Sequence, residues 1–282
     1  MLKKLYDCAM DREESWSPPP HLLVTGYWER ESFERYRPRG SGAWLISYTL
    51  EGHGLYRQPG LELWTNPDDV VLLQPGALHD YCMPAGASWV FLWAHFHPRP
   101  SWLPWLQLPE VGQGLFAASL RSAQGRKRAR QAFLDAHADA CAADAIHGDL
   151  ALNGLEEVLF LAVRENPARG RPPDPRVQQV LDLVSTDLAG PHDLRTLAQR
   201  VGLSPSRLAH LFHDDVGDSV NNTVLRLRLR QAARLLEFTG RGVGDVAEDV
   251  GFSSAFYFSR QFHRHYGISP RAYRAGFVRD QT

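Results

Sequence analysis

The sequence predicts an α+β chain of two domains: a small antiparallel β-barrel or jelly roll with a helical hairpin, then an all-helical domain. Three observations predict this architecture. Short strand-like runs fill residues 22–96, one apolar helical pattern occurs twice between Asp193 and Tyr273, and a proline-rich stretch separates the two regions. A chain of 282 residues is long enough for two such domains.

The barrel is predicted from runs of β-branched and aromatic residues that alternate with turn residues. The runs cover residues 44–50, 55–57, 70–73 and 89–96. Their even spacing is typical of a small barrel or jelly roll. Residues 1–20 carry no periodic pattern, so we expect an N-terminal arm there and the first domain over 21–165.

Strand alternation predicts a ligand pocket inside this barrel. Residues 89, 91, 93, 95 and 97 point to one side of their strand, and residues 79 and 81 share a side of theirs. The inward candidates are His79, Tyr81, Phe91, Trp93 and His95. A barrel of this size can hold one small ligand, but its side chains can also fill it, and both alternatives stay open.

Two helices are predicted after the barrel, over residues 126–147 and 150–164. In the second helix an apolar stripe at i, i+3 and i+7 consists of Leu152, Leu155 and Leu159. The stripe can pack on its own barrel or on a second copy. Residues 166–175, with four prolines, are predicted to be the linker, and residues 176–282 the second domain.

The first copy of the repeated pattern is a helix, a glycine turn and a capped helix. The apolar face of its first helix consists of Leu194, Leu197, Ala198 and Val201. Gly202 ends this helix, and Ser204 with Pro205 supplies the cap and the first position of the next one. The buried face of that second helix is Leu208, Leu211 and Phe212. This arrangement is the helix-turn-helix unit.

The second copy repeats the same features about 50 residues later, a spacing that indicates an internal repeat. Its first apolar face is Val243, Val246, Ala247 and Val250, followed by Gly251 and Phe252. Ser253 or Ser254 is the predicted cap, and Phe258 and Phe262 take the core positions of the second helix. The first helices are offset by 49 residues and the second by 50, so the second turn contains one extra residue.

The connection between the two units, residues 220–238, is predicted to be one helix. Residues 225–230 alternate as a strand would, but Ala232, Ala233, Leu235 and Leu236 continue with helical spacing and no breaker intervenes. Nineteen residues would span about 28 Å, slightly less than the ~34 Å between successive major grooves on one side of B-DNA. One chain could therefore place two helices in adjacent grooves.

These motifs resemble those of the AraC/XylS family of transcription regulators. The matching residues of the second unit are Gly251-Phe252, Tyr257-Phe258-Ser259-Arg260, Phe262, Gly267-Ile268-Ser269-Pro270 and Tyr273-Arg274. In the barrel, the matching residues are Arg37-Pro38, Pro75-Gly76, His79, Tyr81, Trp89, Trp93, Phe96, Pro98, Trp102 and Trp105. The barrel residues resemble those of the arabinose-responsive members of the family.

The resemblance implies a cupin-like effector domain in which Arg37, Tyr81 and Trp93 contact a sugar. It also implies that the N-terminal arm folds over the ligand. The arabinose-responsive members have a polar histidine where this chain has Phe91, which cannot bond a hydroxyl, so the chain is expected to discriminate between sugars differently. The expected effector is sugar-like, with arabinose or a related pentose among the candidates. A non-sugar effector, or none, is the alternative.

For the helical domain, the resemblance implies binding to operator half-sites of double-stranded DNA. The candidate DNA-contacting residues are Ser206, Arg207, His210, Ser254, Ala255, Phe256, Tyr257 and Arg260. Within this set, Arg260 is the expected guanine reader and Phe256 an outward aromatic able to contact a thymine methyl group. The further partners implied are a second copy of the chain, through Leu152, Leu155 and Leu159, and RNA polymerase.

A metal-dependent enzyme with accessory DNA binding is the rival hypothesis. His95 and His97 share a strand face, and with His79 they could provide the three ligands of a catalytic site. No serine–histidine–aspartate set and no phosphate-binding glycine loop is recognisable, so we expect neither catalytic residues nor a cofactor or metal.

Charge and cysteine content limit how the protein can bind DNA and where it is expected to occur. The net charge is −1, and from Asp174 onward fourteen arginines, no lysines and twelve acids leave only a small positive excess. DNA affinity must then depend on where the arginines point. Cys8, Cys82 and Cys141 have no paired spacing, and no long apolar run occurs, so a cytoplasmic protein without disulfides is expected.

Overall fold

A computed structural model describes residues 23–29, 32–106, 108–142, 145–167 and 174–279. The expected arm over residues 1–20 and most of the expected linker lie outside these ranges. The chain divides into two compact units. The first holds the strands and two helices, and the second holds residues 98–106 together with the chain from residue 174 onward.

Ten strands form two antiparallel sheets in the first unit. They are β1 Val24–Trp28, β2 Glu34–Arg37, β3 Trp44–Gly52, β4 Gly54–Gln58, β5 Leu61–Thr65, β6 Asp69–Leu73, β7 His79–Cys82, β8 Trp89–Phe96, β9 Glu110–Gly112 and β10 Leu115–Ser119. One sheet has the order β1-β8-β3-β6-β10-β9, and the other the order β2-β7-β4-β5. Side chains of both sheets meet in one core, where Tyr56 of β4 lies 5.9 Å from Trp89 of β8.

The central strand β3 is buried on both faces, because the barrel interior covers one and a helix covers the other. Leu45 and Ser47 point inward, and the Ser47 hydroxyl lies 2.6 Å from the Tyr56 hydroxyl. Tyr48 points outward and contacts Phe133 of the first helix at 6.5 Å between ring centroids. Alternation therefore assigns Leu45, Ser47 and Thr49 to the interior, up to the register shift that precedes Glu51.

Helices α1 (Ala123–Ala140) and α2 (Ala145–Glu165) pack against each other and cover the outer face of the larger sheet. The Ser122 hydroxyl caps α1 by accepting a hydrogen bond of 3.0 Å from the Gly125 amide. The predicted break at residues 148–149 is wrong: α1 ends at Ala140, and Gly148 lies inside α2. A glycine inside a helix costs about 1 kcal/mol relative to alanine, and a helix of 21 residues tolerates that cost.

A 3₁₀ helix, Pro100–Trp105, follows β8 but belongs to the second unit. Its Trp102 is fully buried where the segment packs on two helices of that unit, α3 and α5. The expectation that residues 21–165 form one continuous domain therefore fails at 98–106. A partly apolar segment packs against whichever surface is complementary to it. The position of the segment in the sequence does not show which surface that is.

The rest of the second unit is helical. Its helices are α3 Pro175–Thr186, α4 Leu194–Arg200, α5 Pro205–Val216, α6 Val220–Phe238, α7 Val243–Asp249, α8 Ala255–Tyr266 and α9 Pro270–Arg279. The α+β prediction, a barrel followed by a helical domain with two helix-turn-helix units, is confirmed. Helices α5 and α8 both end at a left-handed glycine, Gly217 and Gly267, each with φ of 77°.

Helix α6 is unbroken over all 19 residues, with the predicted ends. The Ser219 hydroxyl caps it by accepting from the Asn222 amide. Its C-terminal half contributes Leu229, Ala232, Ala233 and Leu236 to the core of the second helix-turn-helix unit, in which Phe258 and Phe262 are fully buried. At about 1.5 Å per residue the helix is about 28 Å long.

Candidate functional site

The polar end of the barrel interior is formed by an arginine and two histidines. Strands β2 and β7 pair with Arg37 opposite His79. The His79 ring stacks on the His95 ring of β8 at a centroid distance of 5.8 Å. All three side chains are buried, so the structure brings together the predicted residues from three different strands.

Burial keeps the two histidines neutral at pH 7. Desolvation, together with the nearby charges of Arg37 and Arg35, lowers the pKa of His79 to about 3. The pKa of His95 is also lowered, again mainly by burial. Among the described residues, neither ring nitrogen of His79 has a hydrogen-bond partner. A buried unbonded polar group typically costs about 1–3 kcal/mol, so His79 is a ready donor or acceptor for a polar ligand.

The other end of the interior is aromatic. Phe91 is 1% exposed and stacks on Trp89 with centroids 3.9 Å apart. Tyr81 stacks on Tyr56 at 4.9 Å. Burial raises the pKa of Tyr81 to about 12, so its hydroxyl stays protonated and can donate. Phe91, as predicted, adds apolar surface and no hydrogen bond.

Phe33 fills the centre of this aromatic end and was missed by the sequence analysis. Its ring lies 4.7 Å from Trp28, 5.2 Å from Phe91, 5.7 Å from Tyr81 and 5.9 Å from Trp89. It precedes β2 and stands outside every periodic run, so no pattern in the sequence pointed to it. A cleft of about 1100 Å³, lined also by Trp28, Arg35, Trp64 and Met83, reaches Phe33 from outside.

Trp93 lies partly buried between these two ends. It pairs with Gly26 across β1 and β8, and its indole covers that glycine. A Cβ on Gly26 would lie 2.4 Å from the indole ring, so only glycine leaves room for it. The ring is thereby held as a flat surface next to His95, 5.8 Å away.

The three-histidine arrangement required by the metal hypothesis is not formed among the described residues, where no three His, Cys, Asp or Glu side chains come close enough to hold a metal ion. His79 and His95 are neighbours, but their rings are stacked. Stacked imidazoles do not aim their nitrogens at a common point.

The apolar stripe of α2 packs within its own subunit. Leu155 and Leu159 are 0% and 1% exposed, and only Leu152 keeps intermediate exposure. Leu155 and Leu159 are therefore wrong as contact residues, because the stripe is used to hold α2 on α1 and β10. The exposed apolar side chains of α2 are Ile146, Leu150 and Phe160, at 74%, 46% and 41%.

Helix α5 presents the predicted polar residues to solvent. The Ser204 hydroxyl caps it by accepting from the Arg207 amide at 3.2 Å. Ser206, Arg207 and His210 are exposed, while Leu208, Leu211 and Phe212 are buried. The N-terminal turn of α5 is thus a polar surface at the positive end of a helix dipole, which suits contact with phosphates and base edges.

Helix α8 presents a more aromatic surface. Ser254, not Ser253, is its cap and accepts from the Tyr257 amide at 3.3 Å. Ala255, Phe256, Tyr257 and Arg260 are exposed, with Phe256 at 78%. The Arg260 guanidinium lies 5.4 Å from the centre of the Tyr257 ring, and this cation–π contact limits its rotamers.

Arg228, in the middle of α6, connects parts of both helix-turn-helix units and was also missed. Its Nε donates to Leu188 O at 3.0 Å, its Nη2 to Gly190 O at 2.8 Å and its Nη1 to Gly251 O at 2.9 Å. Burial lowers the pKa of this guanidinium. The leucine–arginine alternation of residues 225–230 gave no sign that Arg228 would bond backbone carbonyls.

Both halves of the chain match known protein families. Residues 21–156 match the model of the AraC-like ligand binding domain, and residues 197–276 match that of a helix-turn-helix domain. The arabinose operon regulatory protein of Escherichia coli K12 is 32% identical over 259 residues, covering 85% of this chain and 83% of that protein. Its counterpart from Salmonella typhimurium is 33% identical over 246 residues, covering 85% and 86%.

Among solved structures, the DNA-binding domain of the global transcriptional factor AdpA in complex with a target DNA is 30% identical. The similarity covers 37% of this chain and 95% of that domain, with a TM-score of 0.36. No helix in the described part of this chain is both long enough and apolar enough to cross a bilayer.

Proposed function

Because the chain belongs to the AraC family of DNA-binding transcription regulators, we propose that its two helix-turn-helix units read adjacent half-sites and that a small sugar-like effector occupies its barrel. The unbroken helix α6, about 28 Å long, supports the first part. The unbonded His79 inside the barrel supports the second.

In the proposed DNA complex, α5 and α8 each enter a major groove. Arg260 is the guanine reader of α8, and Phe256 contacts a thymine methyl group. On α5, Arg207 contacts guanine or phosphate, with Ser206 and His210 as further donors. The exposure of all five side chains supports these roles.

Substitution of Arg260 tests the DNA contact. We expect Arg260→Ala to weaken binding to a duplex selected by the wild-type protein by about 1–3 kcal/mol and to relax base preference at one position. Arg264→Ala, on the last turn of the same helix, is the control and should change affinity little. An equal loss on scrambled DNA would show that Arg260 contacts phosphate only.

The proposed effector lies between Trp93 and the Arg37–His79–His95 end of the barrel. The indole face takes the apolar face of a sugar ring, and Arg37, His79 and the Tyr81 hydroxyl bond its hydroxyl groups. Phe91 contributes no such bond, which changes discrimination between related sugars by about 1 kcal/mol or more. Arabinose is therefore one candidate among related pentoses and hexoses.

Thermal shift measurements with a panel of pentoses and hexoses test this pocket. A bound effector at about 100 times its Kd should stabilise the protein by about 2.7 kcal/mol. Tyr81→Phe should reduce that shift, whereas Tyr36→Phe, which alters an exposed tyrosine of the neighbouring strand β2, should not. Equal thermal shifts in the two variants would show that Tyr81 does not contact the effector.

The packing of Phe33 favours a second candidate, an effector-independent regulator with a filled barrel. Phe33 occupies space among four aromatic rings that a ligand would otherwise share. This candidate predicts no shift with any compound in the panel, while the DNA result for Arg260 stays unchanged.

We further propose that the regulator is a homodimer and that it contacts RNA polymerase when it activates transcription. The exposed side chains Ile146, Leu150 and Phe160 of α2 support a partner surface on that helix.

A further inference from the structure

The two turns of the helix-turn-helix units differ in their surroundings. Gly202 and Gly251 occupy equivalent positions, with left-handed φ values of 67° and 85°. A Cβ on Gly202 would meet no atom within 4 Å. A Cβ on Gly251 would lie 2.7 Å from Ala189 O and 2.8 Å from Ala189 Cα. The second turn is therefore in direct backbone contact with the loop between α3 and α4, whereas the first turn is open.

That loop leads directly into the first helix-turn-helix unit. It follows α3, which packs on α5, and it ends at Asp193, whose carboxylate caps α4 by accepting from the Thr196 amide at 3.0 Å. Within the loop, the Gly190 amide donates to Asp187 O at 3.0 Å. The loop thus has a fixed shape of its own before the second unit contacts it.

Arg228 closes this contact from the middle of α6. Three different nitrogens of one guanidinium donate to two loop carbonyls, Leu188 O and Gly190 O, and to the turn carbonyl Gly251 O. The planar fork of arginine can satisfy three separated acceptors at once, which the single ammonium of lysine does less well. This contact therefore adds a further connection between the two units, at the centre of α6.

We propose that Arg228, with Gly251 seated on Ala189, is a positioning device that fixes the second recognition helix relative to the first. Arg228 is not itself a DNA contact. Its role is to set the one spacing of half-sites at which both units bind together. This inference rests on the proposed reading of two adjacent half-sites by one chain.

The experiment measures spacing preference with the full-length protein. The probe is a duplex recovered from a random-sequence pool by the wild-type protein, with its two half-sites located by footprinting. Derivatives carry one, two or five inserted base pairs between the half-sites, five being about half a helical turn. A further duplex has one half-site scrambled.

For the wild-type protein, the insertions should cost about 100-fold in affinity, comparable to the loss of one half-site. Arg228→Met should bind the parent duplex about tenfold more weakly, keep its affinity for the single half-site, and lose only about threefold on insertion of one or two base pairs. Arg228→Lys should give intermediate values. Arg226→Met, at an exposed arginine paired with Asp218 at 2.5 Å, is the matched control and should behave as the wild type.

A glycine pair separates positioning from folding. Gly251→Ala should reproduce the loss of spacing preference, whereas Gly202→Ala carries the same backbone strain without the clash and should not. The inference is overturned if insertions penalise Arg228→Met by the same factor as the wild type, or if its single-half-site affinity falls in parallel. A wild-type protein indifferent to spacing would instead overturn the two-half-site proposal itself.

Discussion

His79 is a buried side chain whose unbonded nitrogens lower stability and, in the proposed site, would bond a ligand. Its imidazole is completely buried between Arg37 and His95, and the described residues offer its nitrogens no hydrogen bond. Alternation along β7 predicted that it points inward with Tyr81. The absence of a partner could not be predicted, because it depends on what the opposite sheet presents.

The lowered pKa of His79 predicts that the protein loses stability in mild acid. The pKa is about 3 in the folded chain and about 6.5 in the unfolded chain. Between these values the unfolded chain binds a proton that the folded chain does not, so the free energy of unfolding falls as pH falls. From pH 7 to pH 5 we expect a loss of about 2 kcal/mol from this group.

Urea unfolding of wild-type protein and His79→Asn at pH 5, 6 and 7 measures this effect. His95, also buried with a lowered pKa, is present in both proteins, so the difference between their pH profiles isolates His79. Parallel profiles would show that His79 is protonated equally in the folded and unfolded chains.

Among the elements, α2 shows that an apolar stripe predicts a helix but not what the helix packs against. The spacing of Leu152, Leu155 and Leu159 correctly predicted a helix with an apolar face, but the same stripe suits the subunit's own core and a partner equally well. Because Leu155 and Leu159 are buried, the stripe belongs to the core of its own subunit. By contrast, a helix cap depends only on residues close in sequence. Ser204 and Ser219 accordingly cap the helices that follow them.

Substitutions on the two sides of α2 should therefore have opposite consequences. Leu155→Ala should lower the free energy of unfolding by about 2–5 kcal/mol, because it leaves a cavity in the core. The double variant Ile146→Asp/Leu150→Asp should leave the melting temperature nearly unchanged and shift sedimentation from dimer to monomer. If Leu155→Ala dissociated the dimer without lowering stability, Leu155 would be a dimer contact after all.

For the whole molecule, the order of domains and the two helix-turn-helix copies could be predicted because each depends on local periodicity and turn chemistry. The offset of the copies, 49 residues and then 50, recurs in the starts of α4 and α7 and of α5 and α8. The packing of residues 98–106 with the helical unit could not be predicted. It depends on Trp102 meeting the surfaces of α3 and α5, which are far away in the chain.

The lysine-free composition of the helical unit has a practical consequence for its chemistry. Lysine occurs in this chain only at positions 3, 4 and 127, so every permanent side-chain cation from Asp174 onward is a guanidinium. Guanidinium groups keep their charge at neutral pH, and reagents that acylate or methylate amines do not attack them. The chain can therefore be tethered or labelled through its amines while the surface of α5 and α8 that we propose to face the operator stays chemically intact.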